Sequence, residues 1–372
     1  MVPTLTYPEA LVVGLIQGVT ELFPLSSLGH NVLIPALIGG QWAQDLSVSK
    51  PESPYLAFIV GMHVATAIAM IIYFWRDWIR IIGGFFSSIW RRRVETVDQK
   101  LAWMIVIATI PVGIAGLALE HLFRTTFSKP TPTAIFLAIN GLVLFSGERL
   151  RRREAAGNQS SADRGRADDL DPALAPGGRP MARGGAAMTP GGPLPGQSMA
   201  YAGGWDTDPP GAEPRSQIAG RHSAGQRAVR QQEVSEAIEA DGRLSRMGFP
   251  QALMLGTIQV CALLPGISRD GVVMVGGMFR GLSRQDAARF SFLLSAPVIL
   301  AAGMLKIPDL MGPLGNGIRG QMLAGSILSG VGAFLALRFF VRYLQDHTRT
   351  LMPFAIYCLV AGIGSAVYLN VH

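Results

Sequence analysis

Long apolar runs constrain this chain more than any other feature. They lie at 56–75, 101–119, 133–147, 287–305, 321–344 and 351–370, each of the order needed to cross hydrocarbon. Backbone in lipid must satisfy its own polar groups, so such runs are helices. The bulk composition agrees, with 49% hydrophobic residues, only 15% charged and a mean hydropathy of +0.33. The sequence therefore predicts an all-α integral membrane protein, a polytopic helical bundle. No cleavable signal is expected, because the first apolar segment lacks a basic start and carries Glu21 and a Ser-Ser-x-Gly-His run.

A formal charge of +7 raises the question of nucleic acid, and its distribution argues against that partner. The basic residues gather at segment ends: Arg76 to Lys100, Arg149 to Arg153, Arg280 to Arg289, and Arg338 to Arg349. The intervening loops hold only Arg124 with Lys129, and Lys306 with Arg319. That alternation follows the positive-inside rule, with membrane lipids of the inner leaflet as the partner. Cys261 and Cys358 both lie in apolar segments and read as small hydrophobes.

Counting from the basic loops sets a topology in two membrane halves, 1–147 and 247–372. With the Arg76–Lys100 loop cytoplasmic, 56–75 runs inward, and 8–40 must enter and leave from the outer face as a re-entrant pair. Residues 250–281 form a second re-entrant pair from the inner face. The stretch 148–246, with runs such as Ala175-Pro176-Gly177-Gly178, cannot bury a core and is expected to be a disordered cytoplasmic insert. Within it, 226–244 could form a short polar helix. The insert reads as a linker or, alternatively, a docking tail.

Both re-entrant segments carry chemistry where they break. Gly14-x-x-Gln17 precedes Pro24-x-x-Ser27, and Gly256-x-x-Gln259 precedes Pro265-x-x-Ser268. Matching broken segments that enter from opposite faces mark an inverted repeat with a midplane site. Helix starts at such breaks expose unpaired N–H groups that suit phosphate. Ser26, Gly266, Ser268, Arg269 and Gly271 are the expected phosphate-binding set, with Arg269 offering a bidentate guanidinium. Its alternative is a structural pair with Asp270 or Glu21. Gln17 and Glu21 lie one helical turn apart, so they form a candidate ligand pair for a divalent cation, Mg²⁺ or Ca²⁺. Glu21 could instead be a general base. His30, three residues past Ser27, could activate that hydroxyl, attack phosphorus itself or protonate a leaving oxygen. His63 reads as packing or support, and Asn140 as interhelical glue.

These residues resemble the bacterial undecaprenyl pyrophosphate phosphatase family of the bacitracin-resistance type. Its first motif appears as Gln17, Glu21, Pro24, Ser26, Ser27, Gly29 and His30, and its second begins Pro265, Gly266, Ser268, Arg269. Similar sequence continues through Gly276-Gly277-Met278, Gly281-Leu282-Ser283-Arg284 and Ala288 to Leu294. The resemblance implies an inner-membrane hydrolase that removes the terminal phosphate of undecaprenyl diphosphate on the outer face, with a divalent cation. It gives Glu21, Ser27, His30 and Arg269 the central roles, the nucleophile being Ser27, His30 or an activated water. Two positions depart from the motif: Asp270 stands for a serine and Val273 for a threonine, and the Asp270 carboxylate would either offset part of the Arg269 charge or join Gln17 and Glu21 as a further metal ligand. A lipid-phosphate transporter or flippase on the same plan, and a weakened lipid-phosphate-binding paralogue, are the rival readings. The oligomeric state is open, a homodimer included.

Overall fold

A computed structural model describes residues 5–46, 54–122, 126–127, 129–168, 235–311, 317–346 and 349–371. Every regular element among them is helical. Five helices are long and apolar enough to cross a membrane, and a sixth crossing is available if a sharply bent pair counts as one. The chain is a multi-pass membrane protein.

The first half opens with α1 (Tyr7–Leu22), started by a capping box in which Thr6 and Glu9 satisfy each other's N–H groups. After a break at Phe23 to Ser26 come α2 (Ser27–Ile38) and α3 (Gly40–Asp45). α4 (Pro54–Tyr73) is followed directly by α5 (Trp75–Arg91), turned from it by 87°. α6 (Val97–Leu122) and α7 (Pro130–Asp168) complete this half. The second half begins with a helix over 235–244 (α8), then α9 (Phe249–Ile258) and a 3₁₀ turn at Gln259–Leu263. α10 (Arg269–Met278), α11 (Arg284–Met311), α12 (Arg319–Gln345) and α13 (Met352–Val371) follow.

The chain divides into two compact units, Met1–Glu154 with Ala237–His372, and Ala155–Glu236. In the second unit the described residues are helical: 155–168 continue α7, and 235–236 open α8. The sequence expectation of disorder across 148–246 therefore needs correction at both ends. Residues 148–168 run on as helix, whose first turn there carries i,i+3 and i,i+4 pairs of Glu148 with Arg151 and Arg152. Residues 235–244 are helical too, in keeping with the polar helix expected over 226–244. The Pro- and Gly-rich runs at 175–180 and 189–193 lie outside the described residues.

A second correction concerns Arg76 to Lys100, expected as a loop. Most of it is α5, because its apolar residues recur at helical spacing and the basic ones do not interrupt them. Ile79, Ile82, Phe86, Ile89 and Trp90 are exposed along one side, while Ile81, Gly84 and Ser88 are buried against the protein. A helix at a near right angle to a crossing one, with an outward apolar stripe and flanking arginines, suits the plane of the lipid headgroups.

Beside α5 lies a buried ion network. Arg80 reaches Asp77 at 2.5 Å, Asp241 at 2.8 Å and Asp98 at 3.4 Å; Arg289 reaches Asp241 at 2.8 Å and Asp77 at 3.1 Å. Asp241 is 1% exposed, so its charge is tolerable only because two guanidinium groups face it. The network ties α8 and α11, from the second half, to α5 and α6 of the first.

Close backbone contacts set the rest of the core. α1 packs on α12 at Gly14, where an added Cβ would lie 2.3 Å from the Gly325 carbonyl oxygen. α9 packs on α6 at Gly256, where an added Cβ would lie 2.1 Å from the Ala108 oxygen. Neither interface has room for a side chain, and that intimacy is how helices associate in lipid.

Candidate active site

Four short elements meet at the site: the C-terminal end of α1, the N-terminal end of α2, the N-terminal end of α10 and the middle of α4. α1 has 16 residues and α2 has 12. At 1.5 Å per residue, α2 covers only about 18 Å, short of a ~30 Å hydrocarbon core. Both breaks are buried, with Ser26, Ser27 and Ser268 each no more than 6% exposed. Each restarted helix is capped by a serine, Ser26 accepting from Gly29 N–H (3.3 Å) and Ser268 from Gly271 N–H (3.1 Å).

Ser26 takes a positive φ of 68°, a costly conformation for a residue with a side chain. Several contacts hold it there. Its Oγ accepts a second bond from Gly266 N–H at 3.1 Å, and its carbonyl accepts from the backbone N–H of His30 at 3.2 Å. The two breaks thus touch. A Cβ on Gly29 would come within 2.9 Å of the Gly266 Cα, and Gly266 itself sits at φ 107°, where glycine is favoured. Asn140, in mid-α7, straddles both: its amide donates to the Pro24 carbonyl at 2.9 Å and accepts from Ser268 N–H at 3.0 Å. Glue it is, but between the two halves of the site.

Glu21 is the hub. Its Oε2 accepts hydrogen bonds from the Ser27 hydroxyl and from Gln17 Nε2 (3.0 Å), and lies 3.4 Å from His63 Nε2. Its Oε1 lies 3.6 Å from Arg269 Nη2. The guanidinium of Arg269 is 22% exposed, and its buried Nη1 has no hydrogen-bond partner among the described residues. A buried guanidinium nitrogen with nothing to donate to is ready for an anionic oxygen. The expected meeting of acid and guanidinium across the two halves is therefore present in the geometry.

Other expected residues are turned elsewhere. The ring nitrogens of His30 pair with groups other than Ser27: Nδ1 lies 2.8 Å from the Ser26 carbonyl and Nε2 lies 2.8 Å from the Tyr357 hydroxyl. Asp270 accepts from Ser291 (2.6 Å) and Ser295 (2.8 Å) of α11. The side-chain oxygen of Gln17 accepts from Asn31 Nδ2 at 2.5 Å. Gln17 is thus held by Glu21 and Asn31, and Asp270 by Ser291 and Ser295, and no cluster of three or more His, Cys, Asp or Glu suited to a metal occurs among the described residues.

Three residues matter more in the structure than the sequence suggested. His63 abuts Glu21, and its being ionisable in mid-span was the available signal. Asn31 locks Gln17, and adjacency to His30 was the only hint. Tyr357 lies more than three hundred positions from His30, and no local pattern connects them.

The chain matches the family described as "Bacitracin resistance protein BacA" over residues 10–170 and 226–364. Undecaprenyl-diphosphatase of Mycolicibacterium paratuberculosis is 52% identical over 369 residues, 99% of each chain. Undecaprenyl-diphosphatase 2 of Frankia alni is 48% identical over 366 residues, 96% of each chain. Undecaprenyl-diphosphatase 2 of Chromobacterium violaceum is 32% identical over 358 residues, 95% of this chain and 96% of the relative. Coverage that complete means the stretch between the two matched parts has a counterpart in these relatives. A hub carboxylate, a capped serine and a guanidinium joined across two breaks sit on the segments this family shares, and the chain belongs to the bacitracin resistance protein BacA family.

Proposed function

We propose that this protein hydrolyses undecaprenyl diphosphate to undecaprenyl phosphate and inorganic phosphate, recycling the lipid carrier of cell-wall synthesis in the bacterial plasma membrane. Family membership supports the reaction, and one observation carries the mechanism: the Ser27 hydroxyl donates to Glu21 while Arg269 faces the same carboxylate from the other half. A serine hydrogen-bonded to a base is an activated nucleophile. This favours Ser27 over His30 and over a directly activated water.

Ser27 Oγ attacks the terminal phosphorus as its proton passes to Glu21 Oε2. The Oγ–P bond forms, the bond from phosphorus to the bridging oxygen breaks, and undecaprenyl phosphate leaves with the electron pair. Water then cleaves the phosphoserine, and Glu21 returns its proton to Oγ. Arg269 and the N–H groups at the start of α10 stabilise charge on the phosphoryl oxygens, the largest contribution in this chemistry. A divalent cation, Mg²⁺ or Ca²⁺, would be held by Glu21 with the diphosphate's own oxygens and would neutralise phosphate charge.

The two halves are read as inverted repeats with re-entrant pairs at 8–40 and 250–281. The reciprocal packing, α1 on α12 and α9 on α6, supports this reading. The arginine-rich segment ends support a cytoplasmic insert and a site open to the outer face.

Phosphate release from undecaprenyl diphosphate by purified protein, with and without chelator, tests the proposal. Glu21→Gln and Arg269→Ala should each lose about 10²- to 10⁴-fold in kcat. Equal release by wild type and both variants would remove the site.

A further inference from the structure

A cleft of about 390 Å³ lies where α8 gives way to α9 and α10 turns into α11, its lining including Arg243, Arg246, Gln251, Arg280, Ser283 and Asp286. Three apolar helices begin or end beside it. α9 starts at Phe249, α10 stops at Met278, and the membrane-crossing stretch of α11 starts at Arg284. The cleft therefore stands at the level of the lipid headgroups. Arg269 opens α10 and Arg280 follows its last residues, so about 15 Å of helix separates the cleft from the reacting groups.

What the lining still has to offer is donors. Arg243 is neutralised by Asp286, Nε to Oδ2 and Nη2 to Oδ1, both at 2.8 Å. Arg280 has only a thioether: its Nε and Nη2 lie 3.1 and 2.9 Å from Met254 Sδ, a weak acceptor. Arg246 is exposed and pairs with no carboxylate among the described residues. Ser283 Oγ already accepts from Asp286 N–H (3.1 Å), and Gln251 Oε1 from Gly248 N–H (2.9 Å). Each therefore has a hydroxyl or amide hydrogen left to give. Two guanidinium groups without a counter-charge and two neutral donors around one cavity suit a phosphate. Phe279, next to Arg280 in the chain, is exposed and adds apolar surface for the chains such a phosphate would carry.

We infer that this cleft binds the headgroup phosphate of an anionic phospholipid, at a site separate from the one that holds the reacting diphosphate. Basic pockets between helix ends recognise headgroups in this way. The phosphate sits on Arg246 and Arg280, with Ser283 and Gln251 completing its bonds. Asp286 limits the affinity, because it holds the third guanidinium out of reach and adds a negative charge of its own. The inference stands independently of the hydrolysis proposed above.

Native mass spectrometry of the purified full chain in micelles, titrated with phosphatidylglycerol, reads the Kd of the first bound lipid. Arg246→Gln combined with Arg280→Gln should raise that Kd by about 10- to 30-fold. Arg91→Gln with Arg92→Gln removes the same charge from the end of α5 and should change it by less than about twofold. Asp286→Asn frees Arg243 and should lower the Kd by about threefold, a gain that a damaged fold would not produce. Phosphatidylcholine should bind more weakly than phosphatidylglycerol, and inorganic phosphate at the lipid's concentration should not displace it. An unchanged Kd in the Arg246/Arg280 pair, an equal loss in the Arg91/Arg92 pair, or no gain in Asp286→Asn would overturn the site. Displacement by equimolar inorganic phosphate would overturn its assignment to lipid.

Discussion

The two breaks are built alike and loaded differently. Each restarts a helix behind a serine cap, each contains one residue at positive φ, and each follows a fully buried glutamine, Gln17 or Gln259. In the first, Gln17 is held at both ends, by Glu21 and by Asn31. In the second, neither amide atom of Gln259 has a partner among the described residues. Four residues after Gln17 stands Glu21; four after Gln259 stands Leu263. The scaffold supplies two helix starts, but only one carries the acid and the nucleophile, and the other supplies Arg269. Asymmetric loading on a paired frame lets a base and a guanidinium converge without competing for one position.

The strongest way to break this comparison is to cut what joins the breaks. Asn140→Leu removes the bonds to Pro24 and Ser268 together, leaving the Ser268 N–H unpaired in the interior and the Pro24 carbonyl with only the long Cys358 Sγ contact. It should lower kcat/KM by about 10²-fold and stability by about 1–3 kcal/mol, read by phosphate release and thermal unfolding. Wild-type activity in this variant would mean the breaks hold their positions unaided.

The paired glutamines sharpen the contrast further. Gln17→Leu should cost about tenfold in kcat, because Glu21 and Asn31 lose a partner. Gln259→Leu should leave activity intact and stabilise the fold by up to about 1 kcal/mol, since it removes an unpaired buried amide. If both variants lose activity equally, the second break has a catalytic load that the structure does not show.

Asp270→Ser is the mildest probe. The carboxylate is occupied by Ser291 and Ser295, yet it adjoins Arg269. Its removal should tighten phosphate binding, lowering KM by about threefold with kcat little changed. A large fall in kcat would instead support the metal-ligand role expected from the sequence.

Much of this is legible in the amino-acid sequence. Apolar runs require helices in lipid, and the charged residues inside them marked Glu21 and Arg269 as parts of a site. The misreadings were local. The stretch 76–91 carries enough arginine to pass for a loop, although its isoleucines and phenylalanines recur along one side of α5. The helix through 148–168 was hidden by polar composition, which is compatible with a solvated helix as well as with disorder.

Hydrophobic length and helix interruption are local properties, so residue order alone fixes the membrane helices, the two breaks and the residue types brought to them. Who pairs with whom follows from the three-dimensional packing: Ser27 with Glu21 rather than His30, His30 with Tyr357, and Asp270 with α11. A side chain's protonation partner depends on distances across the bundle, and these are settled by how glycine-lined helices close on each other, not by spacing along the chain.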